Sequence, residues 1–261
     1  MKRLSIIIVA KNEEQNISEC VRSARFADEV IVLDSGSTDR TVELARAAGA
    51  QVVQADWPGY GPQNNRGIDR ATGDWFFILD ADERISEALA TEIRQAVEAD
   101  AFDCFRVPRL SMFAGRFMHH GGWRPDYTWR LARRGHGRFT DHFLHAHMQV
   151  QGRRGTLRES IIHYSYRSME AVLEKLDRYS SGGARDMAER NRKGSLGKAI
   201  VHGGWAFLRS YVLQRGFLDG RFGFMLAVFN AETTYYRYVK LWLMQQPIAP
   251  GGAIPPGSAG R

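Results

Sequence analysis

A cluster of carboxylates follows the apolar run at residues 75–79, where Asp80, Asp82 and Glu83 fill three of the next four positions. The run predicts a buried strand, and open α/β sheets bind ligands beyond the carboxyl ends of their strands. If the backbone stays extended, Asp80 and Asp82 share one side and repel each other unless a cation lies between them. Mg²⁺ or Mn²⁺ suits such oxygen ligands. The alternative is a solvated acidic turn before a helix.

Two more apolar runs, at residues 4–9 and 30–33, also end in polar residues. Asp34 closes the second run, and a carboxylate at such an edge can bind a base or a ribose. Ser37, Thr38 and Asp39 are candidate N-caps of a following helix. The first run is followed by Ala10, Lys11, Asn12 and Glu13. We therefore predict that three strand ends meet at one crevice.

A basic stretch in the middle of the chain is a candidate phosphate-binding region, because guanidinium groups bind phosphate with two hydrogen bonds. Its members are Arg124, Arg130, Arg133, Arg134 and Arg138. The alternative for about half of them is a solvated, salt-bridged surface.

The apolar runs are separated by segments with helical periodicity at residues 13–27 and 41–48, and residues 51–54 predict a further short strand. This alternation predicts an α/β fold with a doubly wound, mostly parallel sheet. The predicted regions are an α/β half at 1–110, a loop-rich 111–167, a helical 168–246, and a disordered tail at 247–261.

The net charge of +7 indicates attraction to polyanions, namely nucleic acid, anionic lipid or a phosphorylated substrate. Only Cys20 and Cys104 are present, which favours a reducing compartment. The run at residues 4–9 is followed at once by charged residues, so it predicts a strand rather than a signal peptide. No apolar stretch reaches about 18 residues, so we expect a cytoplasmic protein.

Three strings in order, SIIIVAKNEE, VIVLDSGSTDRT and NRGIDRATGDWFFILDADE, resemble the nucleotide-binding half of inverting family 2 glycosyltransferases, which have the GT-A fold. Further strings, RPDYTWRLARRGHGRF, IIHYSYRS and LDGRFGF, are similar to the lipopolysaccharide-core branch of that family, which includes β-1,4-glucosyltransferases. The resemblance implies a Rossmann-like sheet with a helical C-terminal extension.

The resemblance also implies roles for individual residues. The first-strand loop would hold the base and ribose, Asp34 would contact the nucleotide, and Asp80 and Asp82 would bind the metal and the diphosphate. The implied donor is a nucleoside-diphosphate sugar, with a UDP-sugar favoured, and the cofactor is Mg²⁺ or Mn²⁺. The residues expected to bind the sugar nucleotide are Ala10, Asn12, Glu13, Asp34, Asn65, Asp80 and Arg130.

The catalytic base is harder to assign, because the branch often carries His-Glu where this chain has His145 and Ala146. Inversion by direct displacement needs a base within hydrogen-bond reach of the acceptor hydroxyl. We predict Asp141 first and His145 second, with Asp126 as a more distant candidate. His163 is a candidate metal ligand or diphosphate contact, or a structural histidine.

The C-terminal region after residue 222 mixes aromatic and basic side chains, which suits either the membrane interface or packing on the main domain or a second subunit. We expect a hexosyltransferase, glucose-like sugars favoured, that acts on a lipid-linked or lipopolysaccharide-core saccharide at the inner-membrane surface, with a homo-oligomer possible. The alternatives are a non-catalytic relative that binds a sugar nucleotide or lipid, and a nucleic-acid-binding protein. The second is disfavoured, because acidic strand ends repel phosphates.

Overall fold

A computed structural model describes residues 1–140 and 147–246. The predicted bases Asp141 and His145 and the predicted tail at 247–261 lie outside the described residues. By its internal contacts the chain divides into an N-terminal unit, Met1–Arg167, and a C-terminal unit that begins at Ser168.

The N-terminal unit combines a large sheet with four helices. Its strands are β1 (Leu4–Ala10), β2 (Glu29–Asp34), β3 (Gln51–Gln54), β4 (Trp75–Asp80), β5 (Glu83–Arg84), β6 (Cys104–Phe113), β7 (Arg116–Phe117), β8 (Asp126–Arg133), β9 (Gly137–Phe139), β10 (Met148–Val150), β11 (Arg154–Thr156) and β12 (Ile161–His163). Its helices are α1 (Ile17–Ser23), α2 (Thr41–Ala47), α3 (Tyr60–Arg70) and α4 (Glu87–Ala99).

The main sheet begins with four parallel strands in the order β3-β2-β1-β4 and continues through β8, β6, β12 and β5. Strand β8 runs antiparallel to both β4 and β6, and β12 runs parallel to β6 and antiparallel to β5. The predicted α/β class is confirmed. The predicted loop-rich region differs, since it contains the eight-residue strand β8, which pairs with β4 and β6.

Both faces of β1, β2 and β4 are buried, which explains why their sequences are apolar without alternation. Ile6 and Ile8 belong to one core cluster, whereas Ile7 belongs to a second cluster on the other face of β1. Helix α3 lies close to that second face at Gly67, where an added Cβ would stand 2.3 Å from Ile7 Cγ2. The absence of a side chain at residue 67 therefore permits this helix to pack on the sheet.

The C-terminal unit consists of helices over its described residues: α5 (Met169–Glu189), α6 (Leu196–Leu208) and α7 (Gly220–Met244). A π-helical turn (Arg209–Leu213) and a 3-10 turn (Gly216–Asp219) connect α6 with α7. The predicted helical character of this region is confirmed. No helix within residues 1–140 and 147–246 is both long enough and apolar enough to cross a membrane.

Candidate active site

The carboxyl ends of β1, β2 and β4 lie together at one edge of the sheet. In the strand register Ala10 pairs with Asp34, and Val9 pairs with Asp80. The prediction that three strand ends meet is confirmed. The binding roles of the residues at these ends stay predictions, and their contacts follow.

Beyond the end of β4 lies a group of ionisable side chains that we call the acidic edge: Asp80, Asp82, Glu83, Arg130 and His163. Arg130 Nη2 donates to Asp80 Oδ2 at 2.6 Å and to Glu83 Oε1 at 2.8 Å. Glu83 Oε2 also accepts a hydrogen bond from the backbone N–H of Asp80 at 3.0 Å. Arg130 thus bridges Asp80 and Glu83, whereas the predicted cation was to lie between Asp80 and Asp82.

Burial and ion pairing oppose each other in this group. Burial raises the pKa of Glu83 to about 7, although the neighbouring Arg130 lowers it. The same burial acts on Asp80, but Arg130 prevails there, with help from Arg109 and His163, and holds the pKa of that carboxyl below its usual value. Asp80 therefore stays ionised at neutral pH, whereas the fully buried Glu83 is more readily protonated than Asp80.

Asp82 lies just beyond the end of β4. The strand ends at Asp80 and residues 81–82 form a turn, so the extended backbone on which the expected shared side of the two aspartates depended is not present. Asp82 Oδ2 instead lies 3.4 Å from His163 Nε2, and His163 Nδ1 lies 3.0 Å from Ser111 Oγ. If Nδ1 carries the proton and donates it to Ser111, Nε2 presents a lone pair beside the Asp82 carboxylate.

The pair of Asp82 and His163 fits a divalent cation. Adjacent ligands of an octahedral ion at about 2.1 Å stand roughly 3 Å apart, close to the observed separation of the two atoms. Among the described residues no group of three or more His, Cys, Asp or Glu side chains is arranged to enclose an ion. Mg²⁺ commonly takes only one or two carboxylates and fills its other positions with water and substrate phosphates. Asp80 was also predicted as a ligand, but only its Oδ1 would be available to the cation, because Arg130 donates to its Oδ2.

The loops after β1 and β2 are joined by hydrogen bonds through Asn12, which adopts a left-handed backbone conformation with φ of 54°. Asn12 Oδ1 accepts a hydrogen bond from the N–H of Thr38 at 2.8 Å, and the N–H of Asn12 donates to Ser37 Oγ at 2.9 Å. Ser37 and Thr38 therefore fix the first loop rather than cap α2. The N-cap of α2 is Arg40, not one of the three predicted residues, although Asp39 Oδ1 accepts from the N–H of Thr41 at the start of the helix.

Asp34 is fully buried at the base of this loop. Its Oδ2 accepts hydrogen bonds from the N–H groups of Gly36 at 3.2 Å and Ser37 at 3.1 Å. Its Oδ1 is buried and has no hydrogen-bond partner among the described residues. An unpaired buried acceptor is costly, so Oδ1 is available for a ligand donor.

The other predicted nucleotide contacts have mixed surroundings. Glu13 lies near Asp82. Burial raises the pKa of its carboxyl, and the hydrogen bond from Asn16, the next strongest influence, opposes this shift without cancelling it. Asn65 is engaged within the fold, since its side-chain amide donates to Phe139 O at 3.0 Å and accepts from the Phe139 N–H at 2.9 Å. The Ala10 carbonyl accepts from the N–H of Ser35, which aligns the first two loops.

Of the predicted basic stretch, only Arg130 reaches the acidic edge. Arg138 pairs with Asp69 at 2.8 Å, Arg134 donates to backbone carbonyls such as Gly73 O, and Arg133 pairs with Asp100. Arg124 donates to Ser160 Oγ at 3.2 Å. These four contacts are structural, as the surface alternative anticipated.

Two residues of this region had no role in the sequence-based prediction. Glu83 is fully buried and pairs with Arg130, and Arg109 lies 2.6 Å from Asp126 and 3.7 Å from Glu83. Asp126, a candidate base, is thus held in an ion pair. The sequence signal for Glu83 is its place in a carboxylate cluster directly after a strand, where a charge must find a partner.

The sequence itself matches a known family. The profile described as Glycosyl transferase family 2 matches residues 5–165, a span that includes every residue of the acidic edge. The chain belongs to this family. It is a glycosyltransferase, as its sequence predicted.

The similarity to several relatives extends beyond the residues that the family profile matches. An uncharacterized glycosyltransferase of Rickettsia typhi is 30% identical over 254 residues, which cover 92% of this chain and 87% of the relative. The lipopolysaccharide core biosynthesis glycosyltransferase LpsC of Rhizobium meliloti is 28% identical over 254 residues, which cover 90% of this chain and 93% of LpsC. The predicted similarity to lipopolysaccharide-core enzymes is therefore confirmed.

Among solved structures, glucosyl-3-phosphoglycerate synthase from Mycobacterium tuberculosis, in complex with Mn²⁺, uridine diphosphate and glucosyl-3-phosphoglycerate, is 27% identical with a TM-score of 0.37. The alignment covers 42% of this chain and 44% of that chain, so this glycosyltransferase spans less than half the length of the synthase.

Proposed function

We propose that this glycosyltransferase binds a nucleoside-diphosphate sugar, with a UDP-sugar favoured, at the acidic edge through a divalent cation. The observation that carries the proposal is the pair of Asp82 Oδ2 and His163 Nε2, 3.4 Å apart at the end of β4. Mg²⁺ or Mn²⁺ held there would offset the negative charge that builds on the diphosphate as its bond to the sugar breaks.

The remaining residues of the edge would prepare the site. Arg130 keeps Asp80 ionised and fixes its orientation, so that Asp80 Oδ1 can take part in binding the cation or its water. The unpaired Oδ1 of Asp34 would accept a hydrogen bond from the base or ribose of the donor. Asn12 would act by holding the two loops that border this position.

For the transfer we propose inversion by direct displacement. The acceptor hydroxyl oxygen forms the bond to the anomeric carbon while the bond from that carbon to the diphosphate oxygen breaks. The hydroxyl proton passes to a base, for which Asp141 is the first candidate and His145 the second. Asp126 suits this part less, because its Oδ2 accepts two hydrogen bonds from Arg109, at 2.9 and 2.6 Å.

The proposed acceptor is a lipid-linked or lipopolysaccharide-core saccharide at the cytoplasmic face of the inner membrane, and the proposed sugar is a glucose-like hexose. The similarity to LpsC, over nine tenths of both chains, supports an acceptor of this class.

The proposal is tested by incubating the purified chain with a panel of UDP-sugars and measuring UDP release. We expect slow release from one donor with Mn²⁺ or Mg²⁺, loss of release with EDTA, and faster release when a core oligosaccharide is added. Binding without release would favour a non-catalytic relative, and absence of both release and binding across the panel, with either metal, would contradict donor use.

A further inference from the structure

Helix α6 presents large apolar side chains to solvent. Over Leu196–Leu208 the exposed face carries Leu196, Ile200, Val201, Trp205 and Leu208, with Ile200 66% exposed and Val201 68% exposed. The helix of a water-soluble protein normally turns its apolar stripe inward and its polar face outward. In α6 the large apolar side chains instead face solvent.

The same surface continues through the two turns that follow α6 and reaches the start of α7. Its further exposed members are Val212, Leu213, Phe217, Leu218 and Phe224. We call the ten residues together the α6 surface. Scattered exposed apolar residues are ordinary, but a run of them along a single connected segment marks an interaction site.

The orientation of α6 is determined by its small residues. Ala199 and Gly203 are the buried positions of the helix. At Gly203 an added Cβ would stand 3.3 Å from Ala231 O and 3.3 Å from Tyr235 Cβ, both in α7. Because close approach to α7 requires the small side, the large apolar side chains must face outward.

The charges around the α6 surface are almost all positive. Arg209, Arg215 and Arg221 are exposed, and Asp219 is the only acidic residue between positions 194 and 231. Apolar side chains bordered by guanidinium groups match the boundary between acyl chains and phosphate headgroups.

We propose that the α6 surface docks this glycosyltransferase on an anionic lipid bilayer, with the apolar side chains in the interface and the arginines on lipid phosphates. The inference rests on the proposed function, whose acceptor is lipid-linked, and it names the surface that would bring the site to that acceptor. It also moves the predicted membrane contact from residues after 222 to a surface that lies mainly between residues 196 and 218.

The test is sedimentation of the full chain with vesicles of phosphatidylglycerol and phosphatidylcholine, and with vesicles of phosphatidylcholine alone. We expect the variant Ile200→Gln/Val201→Gln/Leu213→Gln to bind mixed vesicles at least tenfold more weakly. The matched control is Leu173→Gln, a 56% exposed apolar position in α5, which should bind as the natural chain does. Circular dichroism establishes that each variant is folded.

A second pair of variants tests the charges. Arg209→Gln/Arg221→Gln should lower affinity for mixed vesicles about 30-fold, whereas Arg185→Gln/Arg192→Gln, exposed arginines outside the surface, should not. UDP release from soluble donor should stay unchanged in all four variants, so loss of docking is separable from loss of catalysis. Equal vesicle binding by the apolar variant and the natural chain would overturn the proposal. So would an apolar variant that loses only self-association, which would assign the surface to a second copy of the chain.

Discussion

The acidic edge of the N-terminal unit buries charged side chains, whereas the α6 surface of the C-terminal unit exposes apolar ones. Glu83 and Arg130 are 0% and 6% exposed, and Ile200 is 66% exposed. Each arrangement works against folding or solubility, because buried charges lose hydration and exposed apolar groups order water. Such departures are expected where a protein binds something, which supports the two different binding partners that we propose for the two regions.

The two regions also differ in whether contacts within the protein offset this unfavourable free energy. At the acidic edge, Arg130 compensates two carboxylates, so the charges stabilise one another within the fold. At the α6 surface the apolar side chains have no such compensation within the described helices. The first region should therefore be essential for folding as well as function, and the second for binding alone.

Of the two regions, the acidic edge is expected to show the larger effect on folding, at Arg130. Arg130→Met leaves Glu83 buried without its cation and should lower the free energy of unfolding by about 3 kcal/mol. This value is at the lower end of the range for breaking a buried ion pair, because Asp80 is partly solvated. The matched control is Arg138→Met, whose ion pair with Asp69 is more than half exposed and should contribute at most about 1 kcal/mol. Urea denaturation followed by circular dichroism measures both. Equal losses in the two variants would show that Arg130 does not compensate buried charge.

The smallest effect on folding is expected at the α6 surface. Ile200→Gln should change the free energy of unfolding by no more than about 0.5 kcal/mol, because its side chain is already in water. The matched core change, Ile7→Ala in β1, removes a fully buried side chain and should cost about 2–5 kcal/mol. A destabilisation by Ile200→Gln that approaches the Ile7→Ala value, in the same urea experiment, would mean that α6 packs against something in the isolated protein.

Much of the fold could be predicted because its signals are local. The apolar runs at residues 4–9, 30–33 and 75–79 become β1, β2 and β4, and the predicted strand at 51–54 is β3. Such runs are typical of strands that are covered on both faces. Their order along the chain also determines that their polar ends share an edge.

Helix α3 was not predictable in this way. Its sequence, YGPQNNRGIDR, contains proline, two glycines and two asparagines, which have low intrinsic helix propensity. Tertiary contacts stabilise the helix instead, through Gly67 against Ile7 and through the hydrogen bonds of Asn65 with Phe139. These partners are distant in sequence, so no local pattern reveals them.

The sequence predicted where the site lies but not which of its side chains contact one another. The carboxylates after β4 indicate a charged edge, yet the neighbour of Asp82 is His163, brought near by the pairing of β12 with β5. Likewise, the place of Arg130 between Asp80 and Glu83 depends on β8 lying antiparallel beside β4. The α6 surface was not predictable either, because the packing of α6 against α7 determines which face of α6 is exposed.

The central claim, that the acidic edge holds a nucleoside diphosphate through a cation, is tested most directly by calorimetry of UDP binding with and without Mn²⁺. For the natural chain we predict binding that requires Mn²⁺. For Asp82→Asn and for His163→Gln we predict that the Mn²⁺-dependent part falls at least tenfold, while Asp69→Asn, on the exposed face of α3, leaves it unchanged. Unchanged Mn²⁺-dependent affinity in Asp82→Asn would contradict the account.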